Sequence, residues 1–174
     1  MPGEATSKYH RPWPPAEGAP ALAPAGEAAP QNARASAAAS AELRAALRSR
    51  GMRVTPQRLA VHSALHDLGR HSTAEEVLER VHGTVPGVSL PTVYAALELL
   101  TDLGLALRVH AGRAVRFDPR SEAHHHLVCT SCGAVADLDA DVELGPAFER
   151  ARALGAETSG AEVVVRGLCA DCAA

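Results

Sequence analysis

"SLPTVYAALELLTDLGLALRVHAGRAVRF", residues 89–117, changes its apolar period half-way along. In the first half, Val93, Leu97 and Leu100 recur at the three- and four-residue spacing of one helix face, and Gly104 closes the run. In the second half, "LALRVHAGRAVRF" alternates roughly by two around Ala111 and Gly112, the pattern of a β-hairpin. A helix feeding straight into a hairpin is the closing part of a winged helix-turn-helix, where the helix before the wing enters the major groove.

Three more amphipathic patterns lie upstream. "SAELRAALRSRG" places Leu43 and Leu47 at i,i+4 and stops at Gly51. "TPQRLAVHSALHDLG" opens with Thr55 as N-cap and Pro56 at the first helical position, with Leu59, Ala60, Ser63, Ala64 and Leu68 facing inward. "STAEEVLERVHG" has Ser72 and Glu75 at capping-box spacing and an apolar face of Val77, Leu78 and Val81. Ahead of all these, residues 1–38 hold seven of the twelve prolines, mixed with Ala, Gly and Glu. That composition buries too little surface to offset its ordering entropy, so this tail is expected to be disordered.

After Pro119 a second unit begins. "HHLVC" and "AVADLD" predict two short strands around a C-x-x-C, "VELGPAFERARALG" a helix, and "AEVVVRGLC" a strand entering a second C-x-x-C. A β-β-α-β unit of this size is near the lower limit for independent stability and calls for a staple. The expected class is α+β, with a winged helix over residues 39–118 and a small α/β domain over residues 119–174.

Hydrophobic residues make up 47% of the chain, enough for a core. No long apolar run or secretory h-region is visible, so a soluble, cytoplasmic protein without membrane contact is expected. The net charge of -3 would by itself disfavour nucleic acid, but it is unevenly spread. Residues 40–118 balance at +2 and residues 119–174 at -5. Arg44, Arg48, Arg50, Arg53 and Arg58 face one nearby acid, Glu42, which makes a modest basic patch or an ordinary solvated surface.

Cys129-x-x-Cys132 and Cys169-x-x-Cys172 offer two tight pairs of thiolates, the supply for one tetrahedral zinc ion. Disulfides or a redox pair are the competing readings, but no βαβ context supports a thiol oxidoreductase. On a strand, His124 and His126 share a face and His125 points away, to solvent or a dimer interface. Asp118, Asp137 and His71 could complete a second site. Spacing alone leaves that site and simple surface histidines equally open. His62 and His66 at i,i+4, like His82 and His110, read as ordinary exposed residues. Neither a G-x-S-x-G nor a glycine-rich phosphate loop is present, so no enzyme is expected.

Together, "GMRVTPQRLAV", "HSTAEEVLERV", "VSLPTVYAALELLTDLGLA", "RFD", "HHHLVCTSCG" and "GLCADC" closely resemble the ferric-uptake-regulator (Fur) family of metal-dependent repressors, over about residues 40–172. The resemblance implies a homodimer whose winged helices bind double-stranded DNA at a palindromic operator. It implies structural Zn²⁺ on Cys129, Cys132, Cys169 and Cys172, and a regulatory metal on His71, Asp118, His124, His126 and Asp137. Three His and two Asp suit Fe²⁺ or Mn²⁺. The two aspartates are similar to those of the peroxide-sensing branch, whose Fe²⁺ form oxidises ligand histidines that map to His71 and His124. An iron- or zinc-uptake repressor is the alternative, and a zinc-ribbon module without a DNA role is the rival from another class. Two departures are visible: a histidine usual before the last strand is missing from "SGAEVVV", and Ala95 replaces a commonly polar residue of the recognition helix. Thr92 and Tyr94 are the expected base or sugar contacts, with Arg53 and Arg58 on phosphate or in the minor groove.

Overall fold

The computed structural model describes residues 32–111 and 114–173. Helices α1 (Asn32–Ser49), α2 (Pro56–Leu68), α3 (Ala74–Val81) and α4 (Leu90–Asp102) precede a hairpin of β1 (Leu107–Ala111) and β2 (Ala114–Asp118). Then come β3 (His125–Cys129), β4 (Val135–Leu138), α5 (Gly145–Ala153), β5 (Val164–Gly167) and the single turn α6 (Ala170–Ala173).

Helix α1 starts at Asn32, within the stretch expected to be disordered. The segment 33–39 is rich in alanine, the strongest helix former, so the helix extends back from its Leu43 and Leu47 anchor. Residues 1–31 lie outside the described residues, as does the hairpin turn at Gly112 and Arg113.

Two local expectations shift. The capping box of α3 is made by Thr73 and Glu76, one residue later than Ser72 and Glu75. Ser72 is taken by another partner: it and Phe117 form an isolated antiparallel bridge, so its backbone is extended and the cap moves on. On α2 the buried residues are Val61, His62, Ala64 and Leu65, while Leu59, Ala60 and Leu68 are only half-buried. The helix packs against α1, α3 and α4 at once, and a helix covered on several sides has no single apolar stripe.

The main core joins Leu43, Leu47, Val61, Leu65, Val77, Val93, Leu97 and Leu100 around Phe117 of the wing, the largest fully buried side chain. A second sheet has the order β4-β3-β5, with β3 antiparallel to β4 and parallel to β5. Val109 and Ala111 of the wing pack with Val128 of β3 in a separate small cluster. The wing is therefore the seam between the two sheets. No helix among the described residues is long and apolar enough to cross a membrane.

Candidate metal centre

Strand β3 carries ligating groups at both ends. At its far end Cys129 is followed by a tight turn through Gly133, whose φ of 70° lets its N–H reach the Cys129 carbonyl at 3.0 Å. Strand β5 lies parallel to β3 with Cys129 opposite Gly167, which delivers Cys169 and Cys172 to the same end. All four sulfurs lie within 4.8 Å of one another, and none is in a disulfide. Cys132 Sγ and Cys169 Sγ are 3.8 Å apart. Bonds of about 2.3 Å in a tetrahedron put two sulfurs about 3.8 Å apart, far longer than a disulfide. Although burial opposes charge on Cys129, backbone N–H groups of Cys132, Cys169 and Ser131 bring its thiol down to about 6. Burial and the neighbouring thiols push Cys169 up to about 12. Four cysteine sulfurs this close could all ionise only around a cation.

At the other end of β3 a second group forms. His71 sits in the α2–α3 loop, Asp118 ends β2, His124 and His126 flank the start of β3, and Asp137 lies on β4 opposite His126. Their ligand atoms also lie within 4.8 Å of one another. His71 Nε2 is 3.2 Å from Asp118 Oδ2 and 3.3 Å from Asp137 Oδ1; His124 Nε2 is 2.9 Å and 3.2 Å from the same two oxygens. Ligands on an ion at about 2.1 Å have neighbours at about 3 Å, so these spacings fit.

The protonation pattern sharpens the fit. His124 Nδ1 is 2.7 Å from the Glu122 carbonyl oxygen, which can only accept, so in the neutral ring the proton is on Nδ1 and the Nε2 lone pair faces inward. His126 Nδ1 is 2.8 Å from Glu162 Oε1, with the same consequence. The Nε2 atoms of His71, His124 and His126 and Oδ2 of Asp118 are all buried without a hydrogen-bond partner. Burial opposes ionisation of Asp118, but His71, the Arg120 backbone N–H and His124 outweigh it and hold its carboxyl below the ordinary range. Imidazole nitrogens and a carboxylate turned on one another in a buried space are a donor set that a cation could satisfy. The pocket is closed at Asp118, with a side chain 5% exposed, and open at Asp137, at 35%.

Not every sequence reading survives. His125 points away from the cluster, but its Nδ1 accepts from the Val163 N–H at 3.3 Å, so it anchors β5. His62 is fully buried, not exposed, and its Nε2 is 3.2 Å from that of His66. Arg58 donates to the Arg53 carbonyl at 2.6 Å at the head of α2. Thr92 is bonded to Ser89 at 3.0 Å on the first turn of α4, and Tyr94 is exposed with its hydroxyl 3.4 Å from Glu75 on α3. Arg120 and Glu162 were not legible as supporting residues. Arg120 holds Asp137 at 3.2 Å, and Glu162 is 36 residues from His126 along the chain.

The sequence profile of the ferric uptake regulator family matches residues 49–166. The chain belongs to the ferric uptake regulator family. The ferric uptake regulation protein 1 of Mycolicibacterium fortuitum is 40% identical over 120 residues, covering 68% of this chain and 74% of that protein. The peroxide-responsive repressor PerR of Staphylococcus epidermidis is 34% identical over 95 residues, covering 54% of this chain and 63% of that protein. The structure of the ferric uptake regulator from Pseudomonas aeruginosa with manganese has a TM-score of 0.58 at 30% identity, covering 72% of this chain and 96% of that one. This Fur-family chain is thus a metal-responsive transcriptional regulator built from a DNA-binding part and a dimerisation part. Its two clusters, one all-sulfur and one of nitrogen and oxygen, are chemically distinct sets that could each hold a metal ion.

Proposed function

We propose that this regulator is a repressor whose operator binding is switched by Fe²⁺ or Mn²⁺ on His71, Asp118, His124, His126 and Asp137, and that the Fe²⁺ form responds to peroxide. The carrying observation is the convergence of three buried histidine Nε2 atoms and two carboxylates from both halves of the chain. An all-N/O set without thiolate favours these ions over zinc. When bound, iron would supply the one-electron chemistry by which peroxide oxidises an adjacent ligand, and the exposed side at Asp137 gives a small oxidant access.

The chain's own residues do the coupling. His71 belongs to the helical part, Asp118 to the wing, and the other three to the β3–β4 hairpin. Holding all five together fixes how the winged helix is carried relative to the second sheet, with the boundary near Pro119. Helix α5 buries no residue within the chain, Leu154 just after it is exposed, and Val165 and Leu168 are exposed on and just after β5; we assign these surfaces to the homodimer. In a dimer the angle at each seam sets the spacing of the two α4 helices against a palindromic site. Thr92 and Tyr94 would read bases or sugars, and Arg53 and Arg58 phosphates. Cys129, Cys132, Cys169 and Cys172 would hold a structural Zn²⁺ that pins β5 to β3. A regulator that works on DNA would act in the cytoplasm.

Mobility shifts with the chelated protein test this: Mn²⁺ or Fe²⁺ should restore binding to a palindromic upstream site, and peroxide should release only the Fe²⁺ form. An iron-uptake repressor is the second reading, favoured by the higher identity to a ferric uptake regulation protein. It predicts an Fe²⁺ form that stays on DNA under peroxide.

A further inference from the structure

We propose that Glu162 is a positioning residue for the His/Asp site, holding the His126 ring so that its Nε2 lone pair is presented to the other ligands. The inference rests on the reading of that cluster as the regulatory metal site. Three observations carry it.

First, the contact is short and the histidine is sealed. His126 is fully buried, and its Nδ1 lies 2.8 Å from Glu162 Oε1. A carboxylate accepts, so in the neutral ring the Nδ1–H tautomer is selected and the Nε2 lone pair is free. The fully buried ring has Nε2 aimed toward Asp118 Oδ2, 3.7 Å away, with no hydrogen-bond partner of its own.

Second, the backbone fixes Glu162 where it is needed. The His126 N–H donates to the Val163 carbonyl at 3.0 Å, and the Val163 N–H donates to His125 Nδ1 at 3.3 Å. Two neighbouring histidines thus take opposite tautomers on either side of the chain entering β5. His125 uses its Nδ1 lone pair to hold the strand. His126 uses its Nδ1–H to hold the glutamate. The same strand runs on to Cys169, so the sulfur cluster at one end of β3 and the His/Asp cluster at the other are tied through Glu162.

Third, the three histidines are not equivalent. His124 leans on a neutral carbonyl, that of Glu122, whereas His126 leans on a carboxylate. A carboxylate behind an imidazole raises its basicity and strengthens it as a ligand, and loss of such a partner typically weakens metal binding about 10- to 100-fold. Glu162 stands in "SGAEVVV", the segment that leads into β5.

The test compares Glu162→Ala and Glu162→Gln with the parent, after zinc content and far-UV circular dichroism have shown that each variant is folded. Mn²⁺ titration calorimetry should give an affinity about 10- to 100-fold lower for Glu162→Ala, with Glu162→Gln in between, because its amide oxygen still accepts from Nδ1–H without the charge. Long-range ¹H–¹⁵N spectra of the protein free of regulatory metal should show His126 as the Nδ1–H tautomer in the parent and in Glu162→Gln. In Glu162→Ala that preference should be lost. The proposal is overturned if His126 of the parent is the Nε2–H tautomer, or if Glu162→Ala binds Mn²⁺ within about twofold of the parent. Failure of Mn²⁺ to change DNA binding in the parent would instead defeat the switch reading, and the tautomer spectra would still decide the role of Glu162.

Discussion

Ser72 and Phe117 exchange two backbone hydrogen bonds, Ser72 N–H to Phe117 O at 2.9 Å and Phe117 N–H to Ser72 O at 2.8 Å. This bridge ties the loop before α3 to the end of the wing. It places His71 and Asp118, the residues on either side of the bridged pair, against each other. Arg116 strengthens the tie, donating to the His71 carbonyl at 3.1 Å and to the Gly133 carbonyl at 3.0 Å. The loop that carries His71 is thereby built into the fold by backbone bonds and by Arg116.

Breaking that bridge should loosen the metal site without touching a ligand. Ser72→Pro deletes the N–H that bonds Phe117, and unmaking a buried backbone hydrogen bond costs about 1–3 kcal/mol. We expect a lower melting temperature and Mn²⁺ affinity reduced about tenfold, by analogy with other supporting contacts. Unchanged Mn²⁺ affinity in calorimetry would show that the His71 loop is held by other means.

Ligand removal should be graded by burial. Asp118→Asn and His124→Ala remove groups from the closed side and should weaken Mn²⁺ binding by more than about 100-fold, beyond the range of supporting residues. Asp137→Ala, on the open side where water can substitute, should cost about tenfold. Equal losses for Asp118 and Asp137 would contradict the asymmetric pocket.

The sulfur cluster should control the second sheet and not the helical core. Zinc extraction, or Cys169→Ser, should detach β5 from β3, lower the main thermal transition or split it in two, and shift the protein toward monomer in sedimentation. An unaltered melting curve and dimer after verified zinc loss would refute a structural role.

His62 makes stability fall in acid. Burial, with His66 beside it, lowers its pKa from 6.5 to about 4. The unfolded chain therefore binds a proton that the fold refuses between those values, and stability rises with pH across this window. The stability associated with neutral His62 is complete above about pH 6.5, and about 2 kcal/mol of it is lost by pH 5. His62→Leu should narrow the difference between urea unfolding free energies at pH 7 and pH 5 by roughly that amount. It should also stabilise at pH 7, since the buried His62 Nδ1 has no partner. No change in the pH 7 to pH 5 difference would remove His62 from the acid response.

Peroxide should leave a chemical mark. After treatment of the Fe²⁺ form, peptides containing His71 or His124 should gain oxygen mass, and those of the Mn²⁺ form should not. Absence of the mark in both forms would leave the iron-uptake reading.

Much of this was legible in the chain because it is local. Period, caps and turn glycines are written over a few residues, so the change of period across residues 89–117 gave α4 and the wing directly. C-x-x-C pairs are likewise local, and so the Cys129–Cys132 and Cys169–Cys172 sets stood out. His71, Asp118 and Asp137 stood as candidates by position, but only the family resemblance joined them to His124 and His126, since nothing in spacing brings them together. Tertiary structure decided the rest. Which proton each histidine carries depends on partners as distant as Glu162, and the N-cap of α3 moved because Ser72 was drawn into a bridge with Phe117. His62, on a face that local pattern left to solvent, is buried because three helices close over α2. Hydrogen-bond direction and burial are set by what packs against a residue, and neighbours in space are not recorded in the order of the chain.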